Sequence, residues 1–245
     1  MIRTLIPSSS QRGWVRRIYN RFLHWSVRRR DTRITAILET YAASSTNVSL
    51  VQIGSNDGKT NDPFYDSIVA HSWSALLVEP VPFIYERLVE NHRGHARVIT
   101  ENVAISDREE TRSFHHLRRT DRPDAPWWYD QIGSFDREQV LKSRDEIPGL
   151  EDLLTSTEVR CISLSSLLEG HGIDSFQILH TDLEGYDSKV LKHLDFTRWS
   201  PALILYENKH LTPGETAATA ALLEDAGYRL IHGSSDTLAV KSTRR

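Results

Sequence analysis

Three polar stretches follow apolar runs in this chain: Gly54-Ser55-Asn56-Asp57-Gly58, Glu79-Pro80 and His180-Thr181-Asp182-Leu183-Glu184-Gly185-Tyr186. Gly54 permits a sharp turn and the close approach of a ligand, and Gly58 lets the chain swing into a following helix without a side-chain clash. Asp57 adds an anion between them. A dinucleotide pyrophosphate would want bare backbone amides and the G-x-G-x-x-G spacing, which is absent. A sulfonium ligand carrying an amino group accepts a carboxylate at that place. Glu79 ends the next apolar run, where a carboxylate can accept hydrogen bonds from both hydroxyls of a ribose. Glu79 alone points to a nucleoside; with Asp57 it points to adenosylmethionine. A glycine-acid pair after a strand also occurs as a plain turn, and the second acid in register is what weighs against that.

His180, Asp182 and Glu184, together with Glu207, Asn208, Lys209 and His210 after a later apolar run, would be costly to bury without full pairing or a function. They are the candidates for a reacting site. A hydroxyl acceptor needs a general base. His180, at its ordinary pKa, suits that task; Asp182, Glu184 and His210 are alternatives, with Asp182 or His180 preferred. Asp182, Glu207 and Asn208 also offer three hard oxygen ligands that could hold Mg²⁺. Metal-free catalysis is favoured over that option, with Glu207 bonded to loop amides.

These stretches need a scaffold that brings strand ends together. Apolar runs at Val48–Ile53, Trp73–Val78, Phe176–His180 and Pro201–Tyr206 read as strands. Ala96–Ile99 running into Asn102–Ile105 reads as one more. Helical patterns at Thr32–Ala43, Pro82–Asn91, Asp187–Leu194 and Gly214–Ala226 separate them, which indicates a parallel sheet covered on both faces. Tyr228–His232 and Thr237–Lys241 flank a short polar turn and should form an antiparallel hairpin. The fold class expected is α/β: a Rossmann-like, mostly parallel seven-stranded sheet with an antiparallel C-terminal hairpin and an N-terminal helical arm. In such a sheet ligands bind beyond the carboxyl ends of the strands.

The chain has 245 residues, enough for one well-buried domain with an appendage. Residues 1–45 read as a basic amphipathic arm and residues 46–245 as the domain, with a long polar insertion at about 115–158. Inside that insertion, Trp127-Trp128-Tyr129 is either packed or a platform for substrate. The arm holds Arg12, Arg16, Arg17, Arg21, Arg28, Arg29, Arg30 and Arg33, with Trp14, Ile18, Phe22 and Trp25 at helical spacing. It could pack on the domain or make a peripheral contact with an anionic membrane. The net charge of -3 argues against a nucleic-acid partner. Cys161, the one cysteine, can form no intrachain disulfide and reads as a buried thiol. No secretory signal or spanning segment is evident, so a cytoplasmic, at most membrane-associated, protein is expected.

Val51–Gly58, Val78-Glu79-Pro80 followed by Leu88 and Asn91, and Thr181–Tyr186 resemble the three signature stretches of the FkbM family of methyltransferases. The resemblance spans roughly Val48 to Lys241, and Asp182-x-Glu184-Gly185 is its most specific part. The family often has Lys where His180 stands and Ala where Ser55 stands. The resemblance implies a class I methyltransferase fold, S-adenosyl-L-methionine as donor, and usually a hydroxyl of a sugar, glycolipid or secondary metabolite as acceptor. Gly54, Asn56, Asp57 and Gly58 would line the methionine end of the cofactor, and Glu79 with Pro80 the ribose. Asn102 to Ala104 would lie near the adenine, and Asp182 would face the transferred methyl.

Two other classes compete. A catalytically inactive module of the same fold would bind the cofactor without turnover, or not bind it at all. A nicotinamide-dependent oxidoreductase is disfavoured by the missing third glycine. For a glycan acceptor the Trp127-Trp128-Tyr129 rings would offer stacking faces.

Overall fold

The computed structural model describes residues 32–45 and 47–242. The basic arm read at Arg3–Arg33 therefore lies outside the described residues, but for Thr32 and Arg33. In chain order the strands are β1 (Ser49–Ile53), β2 (Ser74–Val78), β3 (Val98–Glu101), β4 (Ala104–Ile105), β5 (Glu110–Leu117), β6 (Gly133–Ser134), β7 (Leu154–Ile162), β8 (Ile178–Thr181), β9 (Leu203–Glu207), β10 (Tyr228–His232) and β11 (Asp236–Lys241). The helices are α1 (Thr32–Ser44), α2 (Tyr65–His71), α3 (Pro82–His92), α4 (Arg137–Leu141), α5 (Leu150–Leu153), α6 (Leu164–Gly170), α7 (Asp187–Lys192) and α8 (Pro213–Asp225).

Seven strands form the main sheet in the order β3-β2-β1-β8-β9-β11-β10. Six of them run in one direction, and β11 alone is reversed, antiparallel to both of its neighbours. This is the mostly parallel sheet with a reversed C-terminal strand that the sequence led us to expect. Alternation along each strand explains its two-sided core. Val51, Ile53, Leu76, Val78, Leu179 and Ile204 face one apolar cluster, which α6 covers with Leu164, Leu167 and Leu168. Leu50, Ala75, Leu77, Ile178, Leu203 and Leu205 face the other, into which α1 inserts Ile34 and Ala42. The chain leaves β1 toward β2 and β3, then returns to lay β8 on the other side of β1. The carboxyl ends of β1 and β8 are thus the switch point at which a crevice opens.

Two expectations are corrected. Ala96–Ile105 is not one strand: β3 belongs to the main sheet and β4 to a second, smaller one. The break is held by Asn102, whose side-chain amide donates to the carbonyls of Glu79 and Pro80 at 2.8 and 3.0 Å. Nor is the stretch from 115 to 158 a polar loop. β5 pairs antiparallel with β7 along its whole length, from Glu110 opposite Cys161 to Leu117 opposite Leu154, in a four-stranded sheet ordered β4-β7-β5-β6. This sheet is buried on one face only, so Thr111, Ser113, Glu158 and Arg160 interrupt its apolar pattern and hide the strands. Between its long strands the chain builds a core of its own from Leu117, Ile132, Val140, Leu141, Ile147 and Leu150. Trp128 and Tyr129 pack against that core, while Trp127 stays 44% exposed. Cys161 is fully buried, and burial pushes its thiol up from the ordinary value. Among the described residues no helix is long and apolar enough to cross a membrane.

Candidate functional site

One cavity lies beyond the carboxyl ends of β1, β2 and β8. It brings together Gly54, Asn56, Glu79, Pro80, Ala104, His180, Asp182 and Glu184 from the residues singled out in the sequence. The small sheet and the segments flanking β6 close it from the side with Phe114, Asp130 and Phe135. Asp57, Gly58 and Asn102 do not line it.

The β1 end is shaped by its glycine. Gly54 has φ +79°, and a Cβ there would stand 2.0 Å from the carbonyl oxygen of Asp182. The amides of Gly54 and Ser55 both donate to the Val78 carbonyl, at 3.0 and 2.9 Å. The Ser55 hydroxyl donates to the Gln52 carbonyl and accepts from the Val78 amide, so it ties β1 to β2.

Asp57 has a different task from the one expected. Its carboxylate accepts from the amides of Lys59 and Thr60 and from the Thr60 hydroxyl, at 3.0, 2.7 and 2.6 Å. The turn takes up this anion. Asp62 is the carboxylate this loop sends to the cavity wall. It accepts from the Gln52 side chain and from the amides of Phe64 and Tyr65 at the start of α2, and burial raises its pKa. The sequence reading missed Asp62, although an acid just before Pro63 and an apolar helix is a recognisable start signal. Gly58 presses on α3: a Cβ there would meet Leu88 at 2.3 Å and His92 at 2.8 Å. Asn91 fastens the same turn by donating to the Asp57 carbonyl at 2.8 Å.

Glu79 is 5% exposed. Its two oxygens accept from the amides of Asn56 at 3.1 Å and Val81 at 2.8 Å. Burial, opposed by these bonds and by Arg87, pushes its pKa up to about 7. Asp130, which reaches the cavity from the helical turn Tyr129–Gln131 before β6, pairs with Arg87 at 2.8 Å and adds to the rise.

At the β8 end, Thr181 and the Leu183 amide donate to the two oxygens of fully buried Asp187, at 2.6 and 3.2 Å. That acid, also missed in the sequence, folds the loop that presents Asp182 and Glu184. Asp182 is open to the cavity, and the protein around it raises its pKa to about 6, with Lys209 opposing and Asp62 reinforcing. His180 is buried with its ring edge-on to Phe64 at 5.4 Å, and its Nδ1 has no hydrogen-bond partner among the described residues. Burial lowers its pKa to about 4, which corrects the expectation of an ordinary histidine.

Glu184 takes φ +50°, a left-handed conformation that costs a side chain about 1 kcal/mol. His210 Nε2 lies 3.1 Å from Glu184 and 3.6 Å from Glu207. Burial first, then Lys209 and Lys142, lower the His210 pKa to about 4, so these are contacts of a neutral imidazole rather than ion pairs. Asn208 does not join this group: its side chain donates to Thr237 and its amide to Ser235, both at 2.8 Å. The expected oxygen set of Asp182, Glu207 and Asn208 is therefore not assembled. Trp127, Tyr129, Phe83, Arg87 and Arg119 line a separate groove that adjoins the cavity at Asp130.

A family model described as "Methyltransferase FkbM domain" matches residues 52–230. No curated protein matches the chain. Among solved structures, the chain is similar to the methyltransferase FkbM of Methylobacillus flagellatus KT, with 10% identity, 80% of this chain and 44% of that one covered, and a TM-score of 0.45. It is also similar to a SAM-dependent O-methyltransferase of Thermotoga maritima, with 9% identity, 87% and 66% covered, and a TM-score of 0.42. A third is the ribosomal protein L11 methylase of Lactobacillus delbrueckii subsp. bulgaricus, with 10% identity, 85% and 78% covered, and a TM-score of 0.42.

Proposed function

The chain belongs to the FkbM methyltransferase family, and from that premise we propose that it moves the methyl group of S-adenosylmethionine to a hydroxyl of a sugar, glycolipid, polysaccharide or secondary metabolite. The observation that carries this reading is the placement of Glu79 and Asp182 in one cavity on either side of Gly54.

The cavity suits the donor. Gly54 leaves room where a side chain would intrude. Glu79 accepts two amide bonds and keeps acceptor capacity for paired ribose hydroxyls. Asp182 offers an anion to an ammonium group. The donor brings a methyl group on a sulfonium, already a good leaving group, so the protein's part is to position the acceptor and take its proton.

Asp182 is the residue we assign to the proton. It is open to the cavity, and a carboxylate raised to about 6 takes a proton more readily than an ordinary one while remaining mostly ionised at neutral pH. His180, lowered to about 4, is a weaker base; as a neutral imidazole it can accept or donate one hydrogen bond to a bound oxygen. Phe114, Phe135 and Tyr186 line the same cavity with apolar faces.

The test is calorimetric titration with S-adenosylmethionine and S-adenosylhomocysteine, followed by transfer of labelled methyl to a panel of sugars and other hydroxylated acceptors. Saturable binding that Glu79→Ala abolishes, followed by transfer to oxygen, is the expected result. Absence of binding would overturn the donor assignment. Transfer to nitrogen acceptors alone would overturn the hydroxyl.

A further inference from the structure

We propose that Glu184, Glu207 and His210 form a binding site for a divalent cation on the wall of the cavity. Three observations carry it. First, the topology brings two loops into contact. Glu184 follows β8, while Glu207 ends β9 and His210 lies in the loop after it; Gly185, at φ +96°, sits so close that a Cβ would touch His210 at 3.3 Å. One ligand atom from each of the three side chains lies within 4.8 Å of the other two.

Second, the Glu207 carboxylate is not satisfied by the protein. Glu207 is 9% exposed, its Oε1 lies 3.6 Å from His210, and its shielded Oε2 has no hydrogen-bond partner among the described residues. The sequence allows two readings of this acid, a metal ligand or a carboxylate bonded to loop amides, and no loop amide among the described residues meets its Oε2. A buried carboxylate oxygen without a donor costs free energy unless a proton or a cation meets it.

Third, acids outnumber cations around the group, where Lys209 and Lys142 face His210. Asp182, Glu184, Asp187 and Asp236 all push Glu207 toward its protonated form, on top of burial. Lys209 is the cation that offsets Asp182 and Glu184. His210 is held neutral, the form in which an imidazole ligates a metal.

Two carboxylates and one imidazole suit a first-row divalent ion that accepts mixed oxygen and nitrogen donors, such as Mn²⁺ or Zn²⁺, better than Mg²⁺ with its preference for oxygen. Glu184 lines the cavity, so the ion would border the space where an acceptor binds. There it could hold an acceptor oxygen and lower the pKa of its hydroxyl. That role rests on the methyltransferase reading; the binding itself rests on the geometry of the three side chains.

The experiment is titration of the chelator-treated full chain with Mn²⁺, followed by the electron paramagnetic resonance of the free ion, with Zn²⁺ as competitor and S-adenosylhomocysteine binding measured in parallel. One saturable Mn²⁺ site is expected, displaced by Zn²⁺ and weakened at least tenfold in Glu207→Gln and in His210→Ala, with S-adenosylhomocysteine affinity unchanged within about threefold. If Glu207→Gln does not fold, His210→Ala and the intact chain decide. No saturable binding of either ion, or binding that both variants leave intact, overturns the site. A chain that binds Mn²⁺ in this way but not S-adenosylhomocysteine would keep the site and overturn the donor.

Discussion

A Cβ on Gly54 would stand 2.0 Å from the carbonyl oxygen of Asp182, which means that the ends of β1 and β8 meet backbone to backbone. The contact is fixed on its other side by the Asp182 amide, which donates to the Ile53 carbonyl at 3.1 Å. Gly54→Ala must therefore separate the two strand ends and also occupy a left-handed φ. We expect a loss of about 3 kcal/mol of stability in urea denaturation, the sum of a backbone penalty and an overpacking penalty. Cofactor binding should be lost as well. A variant as stable as the parent would show that the strand ends are not in contact.

Glu79 gives the site a pH dependence. Its pKa stands at about 7 in the cofactor-free fold, above the ordinary value of 4.5. Ribose hydroxyls donate to the ionised form, so S-adenosylhomocysteine affinity should rise by up to about tenfold per pH unit from pH 5 toward 7 and level off above. Glu79→Gln should bind weakly with a much flatter profile. An equally steep profile in Glu79→Gln would assign the titration to another group.

Asp182→Asn removes the proton acceptor while keeping the shape of the cavity. Turnover should fall by about 10²–10⁴-fold, with S-adenosylhomocysteine affinity within about tenfold of the parent. If turnover persists, the base is elsewhere, and His180→Gln is the next variant to assay.

Asp187 holds the loop that carries Asp182 and Glu184. Asp187→Ala strands the Thr181 hydroxyl and the Leu183 amide, and should cost about 2–3 kcal/mol. Burial lifts the Asp187 pKa from 3.8 to about 7. A raised folded-state value means that its contribution is full below 3.8 and declines as pH rises through 7. The cost of the substitution should accordingly be smaller at pH 8 than at pH 5. Urea midpoints at the two pH values check this, and a larger cost at pH 8 would contradict it.

The small sheet should behave as a structural unit. Leu150 is fully buried in the cluster between β5 and β7. Leu150→Ala should cost about 3 kcal/mol and raise amide exchange across residues 118–153 more than in the main sheet. Exchange that rises first in the main sheet would show that this cluster has no separate stability.

Much of the scaffold was legible because its signals are local. Short, mostly apolar runs ending in glycine or acid mark strands buried on both faces, and the ends of β1, β2 and β8 could be read from Gly54, Glu79 and Asp182. The small sheet was not legible. Its strands are half exposed, and β5 meets β7 only after a long excursion, so their pairing leaves no short-range pattern. Asp57 and Asp62 show the same limit at the scale of single residues. Both are acids near one glycine turn and both accept backbone amides, and only the course of the chain decides that Asp62 stands on the cavity wall and Asp57 does not.

What the sequence determined by itself is therefore the sheet, its order of polar ends and the residue types gathered there, because periodicity and turn chemistry act over a few residues. The tertiary structure alone decided which acids are occupied by backbone amides and how far Phe64 and the surrounding protein lower the basicity of His180. It also decided that Glu184, Glu207 and His210 meet. These depend on burial and on distances between segments far apart in the chain. Desolvation and hydrogen bonding are set by such distances, and no local pattern of residues encodes them.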